Sequence, residues 1–257
     1  MFPGLYSYIS HKIILSNNKM TLIDDLTKET NQIVSGQWSK RDGTVVPEVE
    51  DLKLTNDAVN LEATFLYADL ADSTELVIYS QSISAEVMKA YLMGTTRIIR
   101  SLGGEIRSFD GDRVMGVFIN GTKNTNATIA ALKISYFFKE ILKPAFARVY
   151  PKIFPDVFNL KQTVGIDTGK TMVVRSGIRD NNDLVWVGRA PNVAAKLSSI
   201  REDYYSTYIT KSVFNSIQDK GKYGGSPSQL MWESRIWNDG KKYGVPEVYR
   251  SGWNWKL

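Results

Sequence analysis

The sequence contains no cysteine and a single histidine, His11. The lack of cysteine excludes disulfides, thiolate nucleophiles and cysteine-held metal sites. One histidine near the start of the chain gives no basis for a histidine-rich zinc site or a Ser-His-Asp triad. Any bound metal is therefore expected to have oxygen ligands, which favours hard cations such as Mg²⁺ or Mn²⁺.

The sequence also lacks a long apolar run, since no stretch approaches the roughly 20 apolar residues that cross a bilayer. Residues 1–20 begin with apolar side chains but include His11 and Lys12 and offer no small-residue cleavage site. We interpret them as an upstream extension, with Met20 a candidate native start, and not as a signal peptide. The expectation is a cytoplasmic protein that does not bind membranes.

Positive charge exceeds negative charge only mildly, with a net charge of +5 over 257 residues. A polyanionic partner such as a nucleotide is compatible with this excess, although a solvated basic surface explains it more simply. No basic run or RNA-binding signature is present, so a nucleic-acid partner is not expected.

The order of periodic segments predicts an α+β protein. A capped helix over residues 21–34 and a polar, turn-rich arm form an N-terminal region, 21–58, ahead of a main domain, 59–257. Within that domain the sequence predicts, in order, a strand (63–70), a helix (84–102), a hairpin (104–118), a helix (126–146), a strand pair (160–174), a helix (190–200) and three short strands (207–210, 229–237 and 246–251). This order is typical of the ferredoxin-like split arrangement, an antiparallel sheet with helices on one face.

Two aspartates occupy matching places at the ends of predicted strands. Asp69 ends the first strand, and Asp112 follows the hairpin turn at Asp110-Gly111. Those strands are central neighbours in a ferredoxin-like sheet, so both carboxylates can converge, and two carboxylates plus substrate phosphates are a common way to hold Mg²⁺. One ion would acidify an attacking hydroxyl while another supports leaving phosphates. The alternative is that both are turn residues that satisfy backbone groups.

Four segments, in order, resemble the class III adenylate and guanylate cyclases: LYADLADSTEL, FDGDRVMGVF, GIDTGKTMVV and VGRAPNVAAKL. Together they cover Leu61 to about Thr210. The resemblance implies a nucleoside triphosphate substrate, two Mn²⁺ or Mg²⁺ ions per site, and metal ligands in Asp69, Asp112 and the Leu70 carbonyl.

The same resemblance implies a phosphate-binding segment in which Ala71, Asp72, Ser73 and Thr74 begin a helix. Exposed N–H groups at a helix start favour anions such as the β- and γ-phosphates, and the Thr74 hydroxyl would add a further donor. Lys170 matches a position where the family often carries a cation for the polyphosphate.

A helical pair, Asn192 and Lys196, lies four residues apart and hence on one face. In the family the asparagine orients the ribose, and its partner is normally an arginine that stabilises charge on the α-phosphate. Lysine lacks the bidentate fork, so Arg189 is a candidate substitute, and a solvated helix lysine is the alternative interpretation of Lys196. Because the family takes its metal residues from one subunit and this helix from the other, the resemblance implies a symmetric homodimer with two composite sites.

The positions that read the base in purine cyclases hold Ser108 and Val185, which cannot pair with a purine as the family's residues do. The adjacent Trp186 is expected to crowd a large base. Phe65 and Tyr67 share one strand face and would pack against a smaller ring, unless they are core aromatics.

These features, with the WSKRDGTVVPEVEDL arm, resemble the pyrimidine nucleotide cyclases of bacterial anti-phage signalling. That resemblance implies synthesis of cyclic UMP or cyclic CMP, sensed by a separate effector without a stable complex. An adenylate cyclase with an atypical base pocket and a catalytically silent nucleotide-binding module remain as alternatives, and the choice between UTP and CTP stays open.

Overall fold

The computed structural model describes residues 21–71 and 73–257, which fall into two compact units. The first unit ends at Gln37 and contains one helix, α1 (Leu22–Ser35). Thr21 caps this helix through a reciprocal pair of hydrogen bonds with Asp24, as the sequence predicted. The proposed upstream extension, 1–20, lies outside the described residues.

The second unit, Trp38–Leu257, contains the sheet and the remaining helices. Its helices are α2 (Ser73–Tyr79), α3 (Gln81–Ser101), α4 (Lys123–Tyr136), α5 (Lys143–Val149), α6 (Arg189–Ser198), α7 (Lys211–Ser216) and α8 (Asp219–Lys222). Its strands are β1 (Ser39–Asp42), β2 (Asp57–Ala71), β3 (Glu105–Asp110), β4 (Arg113–Phe118), β5 (Lys161–Ile178), β6 (Asn181–Val187), β7 (Thr207–Thr210), β8 (Tyr223–Gly224), β9 (Gln229–Leu230), β10 (Glu233–Ile236) and β11 (Glu247–Ser251). A π-helical turn joins α4 to α5. Within the described ranges, no helix is long and apolar enough to span a bilayer.

The main sheet follows the order β10-β11-β7-β5-β2-β4-β3, with β1 paired to β2 and β6 paired to β5. Its central part, β5-β2-β4-β3, has the strand order of the ferredoxin-like arrangement. The predicted α+β fold is therefore confirmed, and β2 and β4 are neighbours as expected.

Helices cover both faces of the sheet, whereas the sequence analysis placed them on one. Leu66, Ala68 and Leu70 of β2 belong to the core cluster that includes side chains of α3 and α4. Phe65, on the alternate face, shares a cluster with Ala190 and Ala194 of α6. The expectation failed because an alternating strand face can be covered by a helix as well as by solvent.

Strand β5 is one continuous strand where the sequence analysis expected a strand pair. The GIDTG segment has two glycines, a residue type common in turns, but Gly165 lies within the strand, where α6 crosses the sheet. A Cβ atom there would overlap the Ala194 carbonyl oxygen and the Ser198 amide nitrogen of α6. The glycine is therefore needed for close approach of a helix backbone and not for a turn.

The arm ahead of β2 belongs, from Trp38 onward, to the larger unit. Its β1 pairs in parallel with β2, from Ser39↔Asp57 to Asp42↔Asn60. Val46 is 6% exposed and packs in the cluster that contains Phe65. Polar composition hid this segment because only Val46, Pro47 and Leu52 of it are buried.

We predict that Gly165→Ala lowers the free energy of unfolding by about 1–3 kcal/mol, because the added methyl group forces α6 away from the sheet. Gly169 is a matched control on the same strand, since a Cβ there would meet Ala190 at an ordinary 3.8 Å. Gly169→Ala should leave stability unchanged or raise it by up to about 1 kcal/mol. Denaturant unfolding of both variants is the measurement, and equal effects would contradict the close-approach explanation.

Candidate active site

The two predicted metal-binding aspartates meet at one edge of the sheet. Asp69 lies near the end of β2 and pairs with Arg113, the first residue of β4. Asp112 immediately precedes that residue and occupies the hairpin turn with Gly111, whose φ of 62° suits glycine. The turn is thus Gly111-Asp112, one residue later than the sequence analysis placed it, and Asp112 lies within the turn.

The environment of these acids is electrostatically unfavourable for two negative charges. Burial raises the pKa of Asp69, and the charge of Asp112 raises it further, while a hydrogen bond from Arg201 opposes the shift. Oδ2 of Asp112 is buried and has no hydrogen-bond partner among the described residues. A buried acceptor without a partner lowers the free energy of unfolding by about 1–3 kcal/mol, and a bound cation would remove this penalty.

Arg201 is a site residue that the sequence analysis missed. Its Nη2 lies 2.7 Å from Oδ2 of Asp69 and 3.5 Å from the carbonyl oxygen of Leu70. It follows α6 by three residues, outside the four motifs, so no spacing pattern points to it.

The residues present fit a divalent cation. Asp69, Asp112 and the Leu70 carbonyl offer hard oxygen atoms of the kind that such a cation binds. Among the described residues, Oδ2 of Asp112 has no hydrogen-bond donor. The described part of the chain holds no group of three or more His, Cys, Asp or Glu side chains suited to a metal. Further ligands would have to come from substrate phosphates or water.

The predicted phosphate-binding segment divides in the structure. Ala71 ends β2, and α2 begins at Ser73. Thr74, in the first turn of α2, is exposed. Asp72 lies outside the described residues. Lys170 is not brought to this place within one chain.

The ladder between β2 and β5 shows how far away Lys170 is. Thr163 pairs with Asp69, whereas Lys170 pairs with Glu62, seven residues further along. At about 3.3 Å per residue this separation is roughly 23 Å. Lys170 instead lines an open cleft of about 560 Å³ beside Asp42.

The predicted helical pair is exposed on α6 but does not reach the aspartates of its own chain. Asn192 donates to the carbonyl of Gly188, and Lys196 lines an open cleft of about 470 Å³ with Trp237. In the part of the chain that the structure describes, no hydrogen bond or ion pair joins either residue to Asp69 or Asp112.

Arg189 pairs with an acid of its own chain. Its Nη2 lies 3.3 Å from Oδ2 of Asp167. That residue is fully buried, and its Oδ1 accepts a hydrogen bond of 2.6 Å from the Thr210 hydroxyl. The same guanidinium approaches the Thr168 carbonyl at 3.3 Å. This pairing ties the start of α6 to β5, which argues against Arg189 as the substitute for the missing arginine.

The predicted base-binding residues separate into two groups. Ser108 pairs across the sheet with Met115, which in turn pairs with Tyr67, so the three form a row on one face. The row lies two residues from Asp69 along β2, which is about 7 Å. The Arg113 guanidinium lies 5.6 Å from the centre of the Tyr67 ring.

The other predicted base-binding residues do not belong to this row. Phe65 is fully buried, with its ring 5.6 Å from that of Trp186 in an edge-to-face arrangement, so it is a core aromatic within one chain. Val185 is 45% exposed and, as the neighbour of Trp186 in β6, points to the opposite face. Val185 and Trp186 therefore cannot line one pocket wall together.

Comparison with solved structures identifies the fold. The adenylyl cyclase CyaB from P. aeruginosa superposes with a TM-score of 0.59, covering 76% of this chain and 95% of that one at 21% identity. The domain has the fold of class III cyclase catalytic domains. A scan against models of protein families found no match.

Comparison with curated proteins identifies the family. A uridylate cyclase from Xanthomonas perforans is 42% identical over 241 residues, 93% of this chain and 100% of that protein. Another from Rhodovulum sp. (strain MB263) is 39% identical over 220 residues, 85% of this chain and 92% of that protein. The chain belongs to the uridylate cyclase family.

We predict that Asp112→Asn raises the free energy of unfolding by about 1 kcal/mol in the presence of a chelator, because it removes an unpaired charge beside Asp69. Asp110 is the matched control on the same hairpin, since it already accepts a hydrogen bond from Arg113 and is largely exposed. Asp110→Asn should change stability by less than about 0.5 kcal/mol. Thermal unfolding in EDTA measures both, and a loss of stability in Asp112→Asn would contradict the electrostatic description.

Proposed function

We propose that this chain converts UTP into 3′,5′-cyclic UMP and pyrophosphate, which makes it a phosphorus–oxygen lyase. The observation that carries the proposal is the identity of about two residues in five with proteins named uridylate cyclase, over nearly the full length of both chains. Those names also favour UTP over CTP, a choice that the sequence motifs left open.

The proposed chemistry uses the paired aspartates and the Leu70 carbonyl to hold two divalent ions, Mn²⁺ or Mg²⁺. When bound, these ions would acidify the ribose 3′-hydroxyl and stabilise the charge of the departing pyrophosphate. The chain itself supplies positioning: the start of α2 at Ser73 and Thr74 offers donors to the β- and γ-phosphates. Burial of Asp69 keeps its carboxylate fixed and in little contact with water.

The proposed site is shared between two copies of the chain. Asn192 and Lys196 are exposed on one face of α6 and contact neither aspartate of their own chain. A symmetric homodimer would bring the α6 face of one copy to the aspartates of the other, and would form two such sites. Since Arg189 is engaged by Asp167, Lys196 is the residue we assign to the α-phosphate charge.

Preference for a pyrimidine is supported by the residues that face the sheet surface near Asp69. The row of Ser108, Met115 and Tyr67 presents one short hydroxyl and one aromatic ring. A hydroxyl can donate and accept, but it does not match the edge of a purine as a Lys–Asp or Glu–Cys pair does. We propose that the pyrimidine ring packs against this row.

The wider biology is a proposal from family resemblance. Cyclic UMP released in the cytoplasm would be sensed by a separate effector during phage infection, without a stable complex between enzyme and effector.

With Mn²⁺ and each of the four nucleoside triphosphates, purified enzyme should form cyclic UMP roughly tenfold to hundredfold faster than cyclic AMP or cyclic GMP, because a mismatched base leaves buried polar atoms unpaired. Mass spectrometry of the products is the measurement. Asp69→Ala, which removes a metal ligand, should form no product while melting as a folded protein. Faster conversion of ATP than UTP would refute the assignment in favour of an adenylate cyclase.

Mixing an Asp69→Ala chain with an Asn192→Ala chain should restore about one quarter of the wild-type rate, because half of the dimers are mixed and each mixed dimer has one intact site. The control mixture is Asp69→Ala with Asp112→Ala, which damages the same half of every site and should stay inactive. Native mass spectrometry confirms subunit exchange. Exchange without recovery of activity would exclude a composite site.

A further inference from the structure

Arg201 is held in place by the end of α6. Its Nη1 donates to the carbonyl oxygen of Ser198 at 2.6 Å and lies 3.3 Å from that of Ile200. Carbonyl groups at a helix C-terminus have no intrahelical donors and carry partial negative charge, so they bind a cation well. The other terminal nitrogen of the guanidinium, Nη2, is thereby directed at Asp69.

That nitrogen contacts the atoms that the proposed function assigns to a metal ion. Nη2 of Arg201 lies 2.7 Å from Oδ2 of Asp69 and 3.5 Å from the carbonyl oxygen of Leu70. The Arg201 side chain is 32% exposed and the Asp69 side chain 13% exposed, so this ion pair is shielded from water more than a surface pair. Arg201 thus places a positive charge on one acid and leaves Oδ2 of Asp112 without a partner.

A second arginine beside the site does not make this contact. Arg113 follows Asp112 directly, but its Nη2 donates to Asp110, and its guanidinium lies over the Tyr67 ring. The two arginines carry the same charge in the same neighbourhood. Of these two arginines, Arg201 is the one whose side chain contacts a carboxylate oxygen of Asp69.

We propose that Arg201 is a positioning residue that acts as an internal counter-ion for Asp69. Its guanidinium neutralises the carboxylate while no divalent ion is bound, and it leaves Asp69 when an ion takes that oxygen. One carboxylate lone pair cannot serve both, and two cations at that distance repel each other. Metal entry and release of Arg201 are therefore a single exchange. The inference rests on the proposed function, which gives Asp69 to the metal.

The test measures Mn²⁺ binding alone, by electron paramagnetic resonance of the free ion, on metal-free full-length protein without nucleotide. Arg201→Gln removes the competing cation and should bind Mn²⁺ about tenfold more tightly, a difference of about 1.4 kcal/mol. Arg113→Gln is the matched control: it removes an equal charge nearby but no contact with Asp69, and should change the affinity by less than about threefold. Arg201→Lys keeps the charge with a shorter reach and should give an intermediate gain; it serves if Arg201→Gln does not fold.

The other outcomes separate the counter-ion role of Arg201 from a general effect of charge and from the metal assignment itself. Unchanged or weaker Mn²⁺ binding in Arg201→Gln, together with loss of binding in Asp69→Asn, overturns the counter-ion role and leaves the proposed metal site standing. Equal gains in Arg201→Gln and Arg113→Gln also overturn it, since the effect would then be one of general charge. Failure of every variant to bind Mn²⁺, even with UTP present, overturns the metal assignment in the proposed function as well.

Discussion

The antiparallel pairing of β2 with β5 is the constraint on which the rest of the structure depends. It runs from Ala58↔Val174 to Ala71↔Lys161 without a register shift. Because side chains alternate, this pairing assigns both faces of the sheet at once: one packs on α3 and α4, and the other carries Asp69 and receives α6. A slip of one residue would turn Asp69 toward the face that packs on α3 and α4, so the position of the site depends on this register.

Two carboxylates in this protein differ in the cations that contact them. Asp167 is fully buried, lies 3.3 Å from the Arg189 guanidinium and accepts a hydrogen bond from Thr210, so it ties α6 to the sheet. Asp112 lies beside a second acid, Asp69, and no donor reaches its Oδ2 within the described ranges. Of these two acids, Asp112 is the one whose negative charge is left for a bound cation.

The sequence predicted the fold class, the adjacency of β2 and β4, and the convergence of Asp69 with Asp112, because strand periodicity and turn residues are local signals. It failed where the decisive contact is distant in sequence. The need for glycine at position 165 comes from Ala194 and Ser198 of α6, which follow far along the chain, so no local pattern indicates it. Arg201 reaches Asp69 across 132 positions and belongs to no motif. Lys170 lies far from the site because β5 is one long strand, and sequence patterns predict the ends of strands poorly.

The burial of Val46 gives the arm an architectural meaning. This valine belongs to the cluster that also holds Phe65 of β2 and Ala190 of α6, so its burial is part of the same packing that places α6 on the sheet. Arg107 holds the arm a second time, by pairing with Glu48 at 2.8 and 3.0 Å. The segment before β2 is thus built into the larger unit and is not an appendage to it.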